Sequence, residues 1–239
     1  MEKNTAAKFI AKRIAGDLEY GSVVNLGIGL PTSVSDYISD DMEVVMHAEN
    51  GVVGMGSGTS LDEIYNNASN RGYAVSEVTA LLINAGSTKA GILRGASFFD
   101  SSASFGLIRG GHVDVTVLGT MEVDQEGNIA NWMIPGQKLN GMGGAMDLCV
   151  GAKKVFIATY HQTKGKPKLL KKCRLPLTAR GVVTTIYTEM GVFDVNSEGL
   201  RVREYNPQFT LSEIRDATEA ELIIDDHVKK TPDYYFENL

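Results

Sequence analysis

The chain of 239 residues is 43% hydrophobic and 22% charged, a balance that excludes disorder and can fill one large α/β core or two small ones. Its 23 Lys and Arg stand against 29 Asp and Glu, a formal charge of −6 that argues against broad nucleic-acid or anionic-membrane binding. Two cysteines, Cys149 and Cys173, are too few for a disulfide scaffold and fit a reducing compartment, and four scattered histidines (His47, His112, His161, His227) lack metal-ligand spacing.

Residues 1–15 set Lys3, Lys8, Lys12 and Arg13 among apolar residues without an apolar central run, so no secretory leader is expected. Ala7, Ile10, Ile14 and Leu18 share one face at helical spacing and predict an amphipathic first helix. No apolar run approaches the roughly 20 residues of a membrane span. A soluble, cytoplasmic protein is the expectation.

A short apolar run, Ser22 to Leu26, reads as a buried strand and leads into Gly27-Ile28-Gly29-Leu30-Pro31-Thr32. Pro31 suits the first turn of a following helix, where a missing N–H costs nothing. The turn holds the first two glycines of a dinucleotide fingerprint, but Thr32 stands where the third belongs and Pro31 intrudes. A tight strand-to-helix turn and an anion-binding turn both fit it. Val44-Val45-Met46 predicts a second buried strand, halted at Glu49-Asn50-Gly51. Glu49 thereby closes an apolar strand, at the sheet edge where α/β proteins hold ligands. It can be a nucleophile, a base or a metal ligand, or a solvated residue beside a good turn.

Gly51, Gly54, Gly56 and Gly58 follow and predict backbone free to bend or to meet a ligand closely. Residues 61–78 carry no clear period. Val113–Leu118 and Val155–Thr159 predict further strands, and Val182–Glu204 predicts an antiparallel meander turning at Gly191 and Asn196–Gly199. Thr210-Leu211-Ser212-Glu213 has capping-box spacing and predicts the last helix, with Leu211 and Ile214 facing inward. Strands separated by helices, then hairpins, predict one α/β domain over residues 1–239, a mixed, mostly parallel sheet covered by helices with an added antiparallel meander.

Gly141, Gly143 and Gly144 precede Ala145-Met146-Asp147-Leu148. Such a loop either offers backbone N–H groups to an oxyanion or packs small residues where elements cross. Trp132 reads as packing. The basic stretch Lys164 to Arg174 reads as a solvated face or a subunit contact. His47 and His112 read as hydrogen-bonded core histidines. Cys149 reads as inert, and Cys173, among lysines, as somewhat reactive.

These segments together resemble the β subunit of class I, glutamate-dependent CoA-transferases, the family of the succinyl-CoA:3-oxoacid, butyrate–acetoacetate and 3-oxoadipate enzymes. The resemblance rests on Asn25-Leu26-Gly27-Ile28-Gly29, Glu49-Asn50-Gly51, Ile83-Asn84-Ala85-Gly86, Gly95-Ala96-Ser97-Phe98-Phe99, Ile108 to Asp114, Asn131-Trp132 and Gly141 to Leu148. It implies a CoA-transferase-like fold and makes Glu49 the nucleophile that carries CoA as a glutamyl thioester. It implies the Gly144 N–H as one oxyanion donor, with a partner's side-chain amide as the second. Asn25, Asn50, Gly51 and Gly143 become substrate- and CoA-binding positions. The resemblance further implies coenzyme A as co-substrate with no bound cofactor or metal, short-chain acids as substrates, and a separate α subunit in an α2β2 assembly.

Two departures stand out: Ala48 replaces the family's usual Ser before the nucleophile, and residues 57–80 look longer than their counterpart. An acyl-CoA hydrolase and a non-catalytic ligand-binding protein of the same fold are the alternatives. A nicotinamide enzyme is a more distant one.

Overall fold

The computed structural model describes residues 1–39, 41–56, 83–85, 90–136, 141–237 and 239. The long 57–80 segment, Gly86 and the irregular 61–78 stretch lie outside the described residues.

Helix α1 (Lys3–Ala15) buries Ala6, Phe9, Ile10, Ala11 and Ile14, one continuous face. Ala7 sits at its margin rather than inside it. The buried face also carries Arg13, whose guanidinium pairs with Glu204 and Asp17, each at 2.6 Å. A charge enters a core only with such partners, since desolvation alone costs several kcal/mol.

Strand β1 (Val23–Leu26) leads to a 3-10 helix (Leu30–Tyr37) that Pro31 opens. Strand β2 spans Val45–Ala48, two residues further than the apolar run suggests, because His47 pairs in register with Asn25 on β1. The described part of the glycine-rich stretch that follows is strand. It forms β3 (Val52–Gly56), antiparallel to β2, and β4 (Gly91–Phe98) lies antiparallel to β3. Glycine is needed there for closeness: a Cβ on Gly54, which takes φ 86°, would stand 2.9 Å from the Ala96 Cα.

Helix α2 (Ser101–Arg109), capped by the Asp100 side chain, precedes β5 (Val115–Leu118). Strands β6 (Glu122–Asp124) and β7 (Ile129–Ala130), helix α3 (Ala145–Gly151) and β8 (Lys154–Ala158) come next. A small hairpin joins β9 (Gln162–Thr163) to β10 (Lys166–Pro167), and β11 (Leu169–Leu170) completes a three-stranded sheet with β6 and β7. The expected meander is present as β12 (Thr185–Thr188), β13 (Gly191–Asn196) and β14 (Gly199–Tyr205). Helix α4 (Leu211–Asp216) carries the full Thr210–Glu213 capping box, followed by β15 (Leu222–Ile223) and β16 (Lys229–Lys230).

The main sheet runs β15-β14-β13-β12-β8-β5-β1-β2-β3-β4, with β16 beside β14. Its middle, β12-β8-β5-β1-β2, is wholly parallel, and antiparallel strands extend it at both ends. One face packs on α1 through Val24, Val115 and Val117. The other face packs on α2, α3 and the small sheet through Ile108, Leu148, Val155 and Leu169. Crossover helices on a parallel sheet leave one edge, formed by the carboxyl ends of the strands, as a crevice. Asn25 and Glu49 stand at that edge. No helix among the described residues is long and apolar enough to cross a membrane.

Candidate active site

Side chains alternate along a strand, so residues paired in register on neighbouring parallel strands share a face. Asn25, His47 and Thr116 form such a row across β1, β2 and β5. His47 and Asn25 are each 1% exposed. Glu49 lies just past β2 and is half-buried, and its Oε2 accepts a hydrogen bond from the Asn25 Nδ2 at 3.0 Å. The carboxylate is therefore held toward the sheet edge rather than left in solvent.

Gly144, at the N-terminal end of α3, brings its backbone against the same carboxylate. A Cβ placed on it would stand 3.2 Å from the Glu49 Cγ, 3.5 Å from Oε1 and 3.4 Å from the Phe105 ring. Its φ of −81° is open to any residue, so the glycine serves closeness to Glu49 and not a strained turn. Helices α2 and α3 are joined across this point by the exposed Arg109–Asp147 pair at 2.7 Å, which adds little stability by itself.

Gly51 has a structural reason to be glycine. It takes φ 115°, and a Cβ would fall 2.0 Å from the Phe99 carbonyl oxygen, while its own carbonyl accepts from the Phe99 N–H at 3.0 Å. The turn after Glu49 is thus welded to the corner between β4 and α2. Asn50 is exposed and donates to the Ile83 carbonyl at 3.0 Å, so its side chain braces the neighbouring segment. Gly143 is exposed beside Gly144 and takes φ 51°. Gly27 approaches β5 closely, where a Cβ would meet the Val117 oxygen at 3.0 Å, and Gly29 takes φ 84°. Both glycines of the fingerprint-like turn have backbone reasons to be there.

Ala48 lies 3% exposed in the apolar cluster on the α1 side. The hydroxyl missing at that position takes no donor from Glu49, because Asn25 supplies one. His47 is a buried, hydrogen-bonded histidine, as its place beside a strand suggests; burial lowers its pKa, against an opposing pull from Glu49. Its contact with Asn25, and the buried Ser104 behind it, have no sequence signal beyond the alternation that puts 47 and 49 on one face.

Three expectations are corrected. His112 is exposed and not a core histidine, since β5 begins only at Val115. Cys173 is not reactive: burial, aided by Asp124, pushes its thiol well above the usual range, and its Sγ faces the Asn128 carbonyl at 3.6 Å. Within the basic stretch Lys168 is half-buried and donates to the Thr120 carbonyl and Thr159 Oγ1, at 2.8 and 3.0 Å, and burial lowers its pKa. Lys164, Lys166, Lys171, Lys172 and Arg174 are exposed. Cys149 is buried with its thiol pushed up to about 12, and the Trp132 indole donates to the Leu177 carbonyl at 3.3 Å, a packing role. Among the described residues no group of three or more His, Cys, Asp or Glu could hold a metal ion.

A model of the coenzyme A transferase family matches residues 8–217. The chain is 47% identical over 226 residues to the β subunit of an acetate CoA-transferase from Haemophilus influenzae, covering 94% of this chain and 95% of that one. It is 44% identical over 214 residues to one of the subunits of a succinyl-CoA:3-ketoacid coenzyme A transferase from Helicobacter pylori, covering 89% and 96%. Among solved structures, an acyl-CoA transferase of Escherichia coli O157:H7 superposes with a TM-score of 0.72 at 21% identity, over 98% of this chain and 44% of that one. At that identity the likeness speaks for the fold.

Proposed function

The chain belongs to the coenzyme A transferase family, and we propose that Glu49 is the nucleophile through which this β-type subunit moves CoA from a short-chain acyl-CoA to a carboxylic acid. The observation that carries the reading is the position of Glu49, bonded to Asn25 on one oxygen and set against Gly144 on the other. We take residues 1–239 as one β-subunit domain.

Oε1, on the Gly144 side, attacks the thioester carbonyl carbon. The C–S bond breaks, CoA leaves as thiolate, and an acyl–glutamyl anhydride remains. The thiolate then attacks the Glu49 carboxyl carbon, the donor acid leaves as carboxylate, and CoA is held as a glutamyl thioester. An incoming carboxylate reverses both steps and departs as the new acyl-CoA. Every intermediate is an activated acyl group, so water must be kept out. Each attack places negative charge on a carbonyl oxygen and calls for fixed donors. The Gly144 N–H serves the substrate oxygen, and Asn25 Nδ2 serves Oε2, which becomes the glutamyl carbonyl oxygen. Gly143, Asn50 and Gly51 shape the walls, and CoA enters as co-substrate.

A second donor, and cover from water, are assigned to an α subunit in an α2β2 assembly. Exposed apolar side chains in segments adjoining the site support a partner there: Ile28 after β1, Phe98 at the end of β4, and Met146 on α3 are 74%, 56% and 46% exposed. The relatives' names point to acetate, or to succinyl-CoA with 3-ketoacids, as the substrate class.

The test treats the αβ complex with acyl-CoA and then borohydride, which should reduce a thioester at Glu49. A Glu49→Ala complex that retains transfer would reject the reading, and free CoA released without acceptor acid would mark a hydrolase instead.

A further inference from the structure

Asn25 is asked to do more than it can do unaided. Its Nδ2 lies 3.0 Å from Glu49 Oε2, 3.2 Å from the His47 carbonyl oxygen and 3.3 Å from His47 Nδ1. Two N–H groups face two oxygens and a ring nitrogen. Its Oδ1, by contrast, is buried with no hydrogen-bond partner. A buried carbonyl left unpaired costs about 1–3 kcal/mol, and turning the amide over is the obvious relief. Turned over, however, Oδ1 would face a carboxylate, a carbonyl and a ring nitrogen. The amide keeps its orientation because the acceptors around Nδ2 outweigh one orphaned oxygen.

We infer that His47 is a positioning residue for CoA transfer: its Nδ1 accepts from the Asn25 amide and so keeps the N–H of that amide aimed at Glu49. The inference rests on the reading of Glu49 as nucleophile. His47 can accept at Nδ1 only with its hydrogen on Nε2, and Nε2 lies 3.1 Å from Ser104 Oγ. Ser104 is fully buried on α2, whose first turn is closed by Asp100 accepting from the Ala103 N–H at 2.8 Å. Phe99 stacks along the ring at 6.5 Å between centroids. Burial lowers the ring's pKa, against a weaker pull from Glu49, and so disfavours the imidazolium. A chain of contacts thus runs from a capped helix through Ser104, His47 and Asn25 to the carboxylate.

The chain matters at the second step. Once Glu49 is acylated it loses its charge and its strongest hold on Asn25, yet Oε2 must meet a donor as the thiolate attacks. His47 does not change during that step. It keeps the donor in place while the charge on Glu49 disappears and returns.

The experiment uses the αβ complex and single-turnover trapping of the glutamyl thioester with borohydride. His47→Leu removes both ring contacts; thioester formation should slow by about 10- to 100-fold, the scale on which misplacement of a reacting group acts, with KM for acyl-CoA little changed. His47→Gln presents an amide oxygen that can accept from Asn25 and should restore most of the rate. A His47→Leu complex at the wild-type rate, or equal losses in both variants, overturns the inference. Should the leucine variant fail to assemble, Ser104→Ala decides: a several-fold slower thioester step supports the inference and an unchanged one overturns it. Wild-type protein that traps no thioester at Glu49 defeats the underlying reading instead, so the two failures are distinct.

Discussion

Two buried histidines, one on each arm of the parallel sheet, differ in where their contacts lead. His47 on β2 and His161 after β8 are 1% and 0% exposed, and each meets a polar partner at both ring nitrogens. His161 bonds Thr188 Oγ1 at 3.0 Å and Thr218 Oγ1 at 2.8 Å, with Phe193 against the ring. The Thr218 hydroxyl donates in turn to the Ile214 carbonyl, and Thr188 Oγ1 meets the Met190 N–H and the Gly191 carbonyl, so the histidine ties β12 to α4 and its contacts lead only to backbone. The contacts of His47 continue through Asn25 to a half-buried carboxylate at the open edge of the sheet. Burial and satisfied bonding are common to both, so neither marks function. What the partner touches next is the difference.

That contrast breaks first at Glu49. Glu49→Ala should reduce transfer by the αβ complex by about 10⁴-fold or more, while the melting temperature stays near wild type, as expected for a half-exposed residue at a strand end. Chain assembly and acid-exchange kinetics measured on the same preparation check both halves.

On the supporting arm the large effect should be on stability and its pH dependence. Burial lowers the His161 pKa from 6.5 to about 4. Between those values the unfolded chain binds a proton that the folded chain refuses, so stability falls as pH drops from 6.5 towards 4 and is whole above 6.5. The loss should reach the order of 3 kcal/mol at pH 4. Urea unfolding at a series of pH values should show this slope, and His161→Gln should flatten it while leaving transfer at neutral pH intact in the folded fraction.

Gly144→Ala sharpens the comparison from the chemical side. The backbone accepts alanine, but the new methyl would crowd Glu49 Cγ at 3.2 Å. A fall in kcat of about 10-fold with an unchanged melting temperature is expected; the reverse pattern would make Gly144 a packing glycine. The smallest effect belongs to α4. Thr210→Ala removes the cap whose Oγ1 accepts from the Glu213 N–H at 3.2 Å, which should cost about 1 kcal/mol in denaturant titrations and nothing in rate.

Much of the fold was legible because it is local. Periodicity located α1, β1, β5, β8 and the meander, and the Thr210 box placed α4. The glycines after Gly51 marked backbone able to approach a neighbour closely, and Gly54 does let β3 lie close to β4. Lys168 and Cys173 misled because the other basic residues of their stretch are exposed, while their own partners Thr120, Thr159 and Asp124 come from distant parts of the chain.

The amino-acid order by itself determined that a glutamate closes a buried strand, that an asparagine stands in the strand before it, and that a glycine-rich loop opens a helix downstream. Each is a matter of hydrophobic period and turn chemistry within a few residues. Only tertiary structure decided that Asn25 bonds Glu49, that His47 stands behind Asn25, and that Gly144 rests on the same carboxylate. Those contacts depend on strand register and on how crossover helices pack against the sheet. They are settled by the joint burial of both sheet faces, which no local pattern encodes.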